Sequence, residues 1–152
     1  MDLWRISNHA SLDGEGGRRY SARWHTAGHP VVYLAGSPAG ALIEILVHLE
    51  LSEAKLPVSY KLLRISLPDS VKVSALRLPK GEAWKDDVHL SRKLGDAWIA
   101  SRRSAVTRVP SVILSDTFNY LLNPLHPDAK SIRIVESSAF KFDPRLLGLR
   151  SA

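Results

Sequence analysis

Glu44 is the residue whose surroundings most call for a chemical explanation. It stands in the run Ala41-Leu42-Ile43-Glu44-Ile45-Leu46-Val47-His48-Leu49, which is apolar on nearly every side. Burying an unpaired carboxylate costs several kcal/mol, so Glu44 needs either a partner or access to a cleft. Two readings stay open: a structural ion pair with an arginine of the first strand, or a carboxylate at the bottom of an active site. The other candidate patterns are weaker. His25 and His29 are four apart, but Gly28 and Pro30 argue against a helical metal pair. Glu44 with His48 supplies half of a catalytic metal site. His126, between Pro124 and Pro127, reads as part of a structural turn. No metal site is expected. Ser111 lacks a Gly-x-Ser-x-Gly elbow and reads as a buried, hydrogen-bonded serine. Gly14-Glu15-Gly16-Gly17 lacks a preceding strand and the full dinucleotide fingerprint, and reads as a flexible surface loop.

Composition narrows the chemistry further. The chain has 152 residues and no cysteine, which removes thiolate zinc sites, iron–sulfur clusters, disulfide frameworks and cysteine nucleophiles. That length suits a single domain over residues 1–152, able to hide roughly 68–70% of its unfolded surface. The longest apolar stretch, 39–51, is interrupted by Glu44 and His48 and is too short for a bilayer. The N-terminus has no signal-peptide layout, so a soluble, cytoplasmic protein without membrane contact is expected. Lys and Arg number 21 against 15 Asp and Glu, a formal charge of +6 that suits an anionic partner. No basic run exceeds two residues, and acids such as Asp86, Asp87 and Asp96 are interleaved. That dispersal argues against direct nucleic-acid binding.

The elements that must position Glu44 follow from local pattern. Tyr20 to Trp24 alternates, Gly28 and Pro30 signal a turn, and Val31 to Ala35 reads as a buried strand. The two segments are expected to form a hairpin that faces Arg23 toward Tyr33. Ser37-Pro38 starts a helix over 39–51, with Ser as N-cap and Pro in the first turn. Gly40, Glu44 and His48 form its one polar stripe. Strands are expected over 58–67 and 71–76, and helix between about 87 and 102. Ala105 to Leu114 is β-rich, bulged or at an edge at Pro110. Asp116 to Asp128 reads as a long ordered loop whose backbone Asn119 and Asn123 hold. Ile132–Val135 and Phe140–Phe142 close the chain as short strands. Trp24 and Trp98 read as core. Strands not separated by regular helices argue an α+β fold.

Several of these segments together resemble the RES-domain family: Tyr20-Ser21-Ala22-Arg23-Trp24, Pro30 to Ala35, Ala41 to Leu49, Val109-Pro110-Ser111 and Phe118 to Pro127. The Arg, Glu and Ser for which the family is named match Arg23, Glu44 and Ser111, and Tyr33 matches a recurrent site tyrosine. The commoner form of the first motif reads Gly-Arg-Trp-Asn, whereas here Ala22 and His25 flank Arg23-Trp24. The resemblance implies an ADP-ribosyltransferase-like fold of mixed, mainly antiparallel sheets with flanking helices around an NAD cleft. It implies a toxin of a bacterial toxin–antitoxin pair that consumes NAD+ by hydrolysis or phosphorolysis, and an Xre-like antitoxin as partner. NAD+ would then be the substrate and phosphate a possible co-substrate, with no resident cofactor.

The residue chemistry suits that reaction. Nicotinamide on ribose is a cationic pyridinium that leaves neutral, so no general acid must protonate it, and one carboxylate suffices where ordinary glycosidases use two. Glu44 would stabilise the oxocarbenium-like ribose. Arg23 would hold pyrophosphate or incoming phosphate, Tyr33 would offer a flat surface, and Ser111 a hydroxyl to orient the substrate. Asn119 has a minor substrate-positioning role in this reading. Two alternatives accompany it: a mono-ADP-ribosyltransferase acting on a protein, and a basic nucleic-acid-binding module.

Overall fold

Apolar residues recurring every second position sort much of this chain into strands of one sheet. The computed structural model of the protein describes residues 1–49 and 58–148. Among them, β1 (Asp2–Ser7), β2 (Val32–Ala35), β3 (Lys61–Ser66), β4 (Val73–Ala75), β5 (Val106–Pro110), β6 (Phe118–Leu122) and β7 (Arg133–Ala139) form one sheet. Their order is β4-β5-β6-β2-β1-β3-β7, and each neighbouring pair is antiparallel except the parallel β4 and β5. Among the described residues three α-helices accompany them: α1 (Glu15–Arg19), α2 (Pro38–Leu46) and α3 (Val88–Ser101). The arrangement is α+β, consistent with an ADP-ribosyltransferase-like fold, with one mixed sheet in place of several.

One core, with Leu3, Val32, Leu34, Leu63, Ile65, Val106, Tyr120 and Leu122, buries one side of these strands. A second gathers Trp24, Trp84, Trp98, Val109 and Leu121, with Ile99 of α3. A third joins Ile6, Ala35, Ala41 and Phe142 around α2. The two halves of the sheet meet at a narrow seam: β1 and β2 share a single register pair, Trp4 with Ala35, whereas β1 and β3 share six. The cleft described below opens beside that seam.

Several expectations change. Residues 20–24 do not pair with β2 in a hairpin; they make one isolated bridge, Ala22 to His25, and β2 pairs with β1 and β6 instead. The segment read as a loop over 116–128 contains β6, an interior strand. Four of its five residues are buried, so it lacks the alternation of a half-buried strand. The Gly14–Gly17 stretch is the start of a short helix rather than a loop. Helix α2 stops at Leu46, and the end of the expected span, 50–51, lies outside the described residues. Phe140 to Phe142 is not a strand; the three aromatics Tyr60, Phe140 and Phe142 pack edge to face instead. Strand β1 had no counterpart in the sequence reading. Pro110 ends β5 beyond its last pairing with β4 at Arg108, where its missing N–H costs that ladder nothing.

Candidate functional site

Ser37 starts α2 as the sequence implies: its backbone is extended and its hydroxyl accepts from the Gly40 N–H at 3.0 Å. Pro38 occupies the first turn. Two turns along, Glu44 meets two donors from different elements. Asn119 of β6 donates through Nδ2 to Glu44 Oε1 at 2.8 Å, and Ser111 Oγ donates to the same oxygen at 3.0 Å. Glu44 is half-buried, and among the described residues it forms no salt bridge. The ion-pair reading of Glu44 therefore has no arginine to support it among the described residues. Two neutral donors orient the carboxylate without neutralising it.

Each donor is itself held. Ser111 is 3% exposed, and its hydroxyl accepts from the N–H groups of Ile113 and Leu114, both at 3.2 Å. The Ser111 N–H donates to Thr117 O at 2.8 Å, closing the turn between β5 and β6. Asn119 must turn its amide NH2 toward Glu44, because a carboxylate only accepts. That choice leaves Asn119 Oδ1 buried and without a partner among the described residues. A buried acceptor left open is costly unless something donates to it.

A cleft of about 440 Å³ runs past these groups, lined by Arg23, Tyr33, Glu44 and Asn119 among others. Ser111 is not on its wall; its neighbours Pro110 and Val112 are. Ser111 thus reaches Glu44 from behind the wall. Arg23 Nη2 donates to the carbonyls of Trp84 at 2.8 Å and Lys85 at 2.6 Å, and the guanidinium lies 5.8 Å from the Trp84 ring centroid. Its Nε is buried and unpartnered among the described residues. Burial draws the Arg23 pKa down, and Asp86 and Asp87 oppose that. Tyr33 Oη accepts from the Trp24 N–H at 3.1 Å and lies 2.9 Å from His25 Nδ1. Burial raises the phenol pKa far above its usual range.

Helix α3 secures the Arg23 segment from outside. Asp96 accepts from Thr26 N at 2.9 Å and from its hydroxyl at 2.7 Å, while Arg92 Nε donates to Ala22 O at 2.9 Å. Gly95 lets the helix press directly on Trp24, whose carbonyl oxygen would lie 1.6 Å from any Cβ there.

A family model described as the RES domain matches residues 2–143. The chain belongs to the RES-domain family. It is 47% identical over 147 residues to a protein named Toxin Res from Pseudomonas putida, covering 96% of this chain and 99% of that one. It is 36% identical over 156 residues to the Prs ADP-ribosylating toxin of a Sphingobium species, covering 95% and 96%. Among solved structures it resembles a chain of the M. tuberculosis MbcT–MbcA toxin–antitoxin complex, with a TM-score of 0.74 and 20% identity. That match covers 97% of this chain and 86% of the other, and it is a likeness of fold.

Within this RES domain, Glu44, Ser111 and Asn119 form one hydrogen-bonded group, and Tyr33 and Arg23 stand elsewhere on the same cleft. The sequence reading missed two participants. His25, read as a poor metal ligand and as a departure from the commoner first motif, is 1% exposed and bonded to Tyr33. Arg5 of β1 also lines the cleft, with Nη1 donating to Ser11 O at 3.1 Å. An arginine inside the apolar run Leu3-Trp4-Arg5-Ile6 was the signal available for it. Asn123, by contrast, holds its turn as expected, accepting from the Leu125 N–H at 3.0 Å.

Proposed function

We propose that this RES-domain protein is the toxin of a toxin–antitoxin pair and cleaves the nicotinamide–ribose bond of NAD+, with water or phosphate as acceptor. The observation that carries the reading is Glu44 itself. It is a carboxylate on a capped helix at the edge of a cleft, with one oxygen fixed by Ser111 and Asn119 and, among the described residues, no cation paired with it. Such a group stabilises positive charge that develops at a ribose C1, and it needs no acid partner because nicotinamide leaves as a neutral molecule. The second carboxylate oxygen, Oε2, accepts no hydrogen bond among the described residues and suits a ribose hydroxyl, which donates where a carboxylate only accepts. Tyr33 offers a ring to the nicotinamide or ribose, and Arg23 a cation to the pyrophosphate or an incoming phosphate. Ser111 acts through Glu44.

The relatives named as toxins, together with the fold shared with a toxin–antitoxin complex, support an antitoxin as protein partner. We take that partner to be Xre-like and the site of action to be the cytoplasm. The second reading, transfer of ADP-ribose to a protein, is favoured by one observation: the likeness to the Prs ADP-ribosylating toxin. The nucleic-acid reading has no comparable support, since the positive charge is dispersed; it would require binding that falls steeply with salt.

Product analysis separates these. Purified protein freed of any antitoxin is incubated with NAD+ labelled in the adenosine half, with and without phosphate. Free ADP-ribose or its phosphate supports cleavage, and label retained on protein supports the transferase. Unchanged NAD+ with demonstrably folded protein defeats cleavage, and protein left unlabelled when a cell extract is added as a source of acceptors defeats the transferase.

A further inference from the structure

His25 stands where the commoner form of its motif carries Asn, and its surroundings decide its tautomer. Its Nε2 lies 2.9 Å from Gly17 O, and its Nδ1 lies 2.9 Å from Tyr33 Oη. A carbonyl only accepts, so Nε2 carries a hydrogen, and in a neutral imidazole Nδ1 is then an acceptor. The Tyr33 hydroxyl already accepts from Trp24 N–H, so its own hydrogen is free to go to Nδ1. Gly17 makes the contact possible. A Cβ there would sit 3.1 Å from His25 Nε2 and 2.8 Å from both His29 O and Val31 N, pushing α1 off the imidazole.

We infer that His25 is a positioning residue: its Nδ1 accepts the hydrogen bond of the Tyr33 hydroxyl, turns that hydroxyl into the protein, and leaves the Tyr33 ring as the surface offered to substrate. The phenol oxygen then has one hydrogen donated to Nδ1 and one acceptor position filled by Trp24. Tyr33 is thereby excluded as a proton donor to substrate, and its ring is pinned at the far end against the Arg23-Trp24 segment. The rings of His25 and Tyr33 lie 5.7 Å apart and tilted by 48°, so the link is a hydrogen bond rather than a stack. The consequence for turnover rests on the NAD+ reading above, whereas the tautomer does not.

Two measurements therefore test it separately. In protein labelled with 15N-histidine, two-bond 1H–15N correlations report the tautomer, and the His25 signal is identified by its loss in His25→Gln. An Nε2–H neutral ring is expected; an Nδ1–H ring or a cation overturns the proposal, whatever the protein does to NAD+. For turnover, Gln carries one amide donor and one acceptor, so His25→Gln should keep NAD+ cleavage within about threefold of wild type. His25→Phe, which fills the space but offers neither bond, should lower kcat/KM by about tenfold or more. Rescue by Gln is what a merely space-filling role would not produce. Equal activity of the Phe variant, or equal loss in a folded Gln variant, overturns the positioning role. A wild type that leaves NAD+ intact defeats the functional reading and leaves the NMR result to decide on His25.

Discussion

At the scale of single residues, the charge on Glu44 and the bonds around it make separable predictions. Glu44→Gln keeps the shape and an acceptor oxygen for Ser111 and Asn119 but removes the negative charge. If that charge stabilises the ribose cation, NAD+ cleavage should fall by about a hundredfold or more while the thermal midpoint stays near wild type. Activity close to wild type in this variant would remove the electrostatic role. Tyr33 gives a prediction in pH. Its folded-state pKa is raised by burial, so the native protein keeps the phenol proton where the unfolded chain has lost it. The stability it contributes is complete below the ordinary phenol range and is lost as pH climbs above it. A stability profile of wild type against Tyr33→Phe should show the steeper alkaline decline in wild type; parallel profiles would contradict the assignment.

Among the elements, α3 matters to the site through the Arg23 segment it holds. It holds residues 22–26 through Asp96 and Arg92, and Gly95 brings its backbone against Trp24. Gly95→Ala would drive a methyl into the Trp24 carbonyl, which neither helix nor segment can relieve without moving. The expected cost is about 3 kcal/mol in chemical denaturation, at the upper end of overpacking, with a displaced Arg23 and lower turnover. A variant as stable as wild type would contradict the close packing of Gly95 on Trp24. Helix α2 shows how much of an element local chemistry specifies. The Ser37 cap and Pro38 were legible because they answer to backbone hydrogen bonds within one turn. Strand β6 was not, because its Asn-rich borders mimic a loop and its burial on both faces removes the period-two signal.

For the whole molecule, the charge of +6 is best understood beside the cleft rather than as a surface average. Arg23 and Arg5 both line it, and a dinucleotide carries its negative charge on a compact pyrophosphate. Binding to the folded state alone must raise apparent stability. Glu44→Gln, which should bind without consuming NAD+, is therefore expected to gain about 2.7 kcal/mol at a hundred times its dissociation constant. A thermal-shift titration of that variant measures this, and no shift up to saturating NAD+ would count against the cleft as the NAD+ site.

The sequence alone determined the residue types and their local settings: an acid in an apolar helix, the cap that starts that helix, the absence of thiols, and motifs that resemble one family. These depend on neighbours within a few positions, where propensity and hydrogen-bond chemistry act. Only the tertiary structure decided what Glu44 touches. Its two donors lie 67 and 75 residues away along the chain, on a turn and on a strand that read as loop. Whether Glu44 was an ion pair or an open carboxylate turned on which distant groups the sheet order β5-β6-β2 carries to α2. The same holds for His25, whose chemistry depends on a carbonyl from α1 and a phenol from β2. Long-range strand pairing brings such partners together, and no local pattern encodes it.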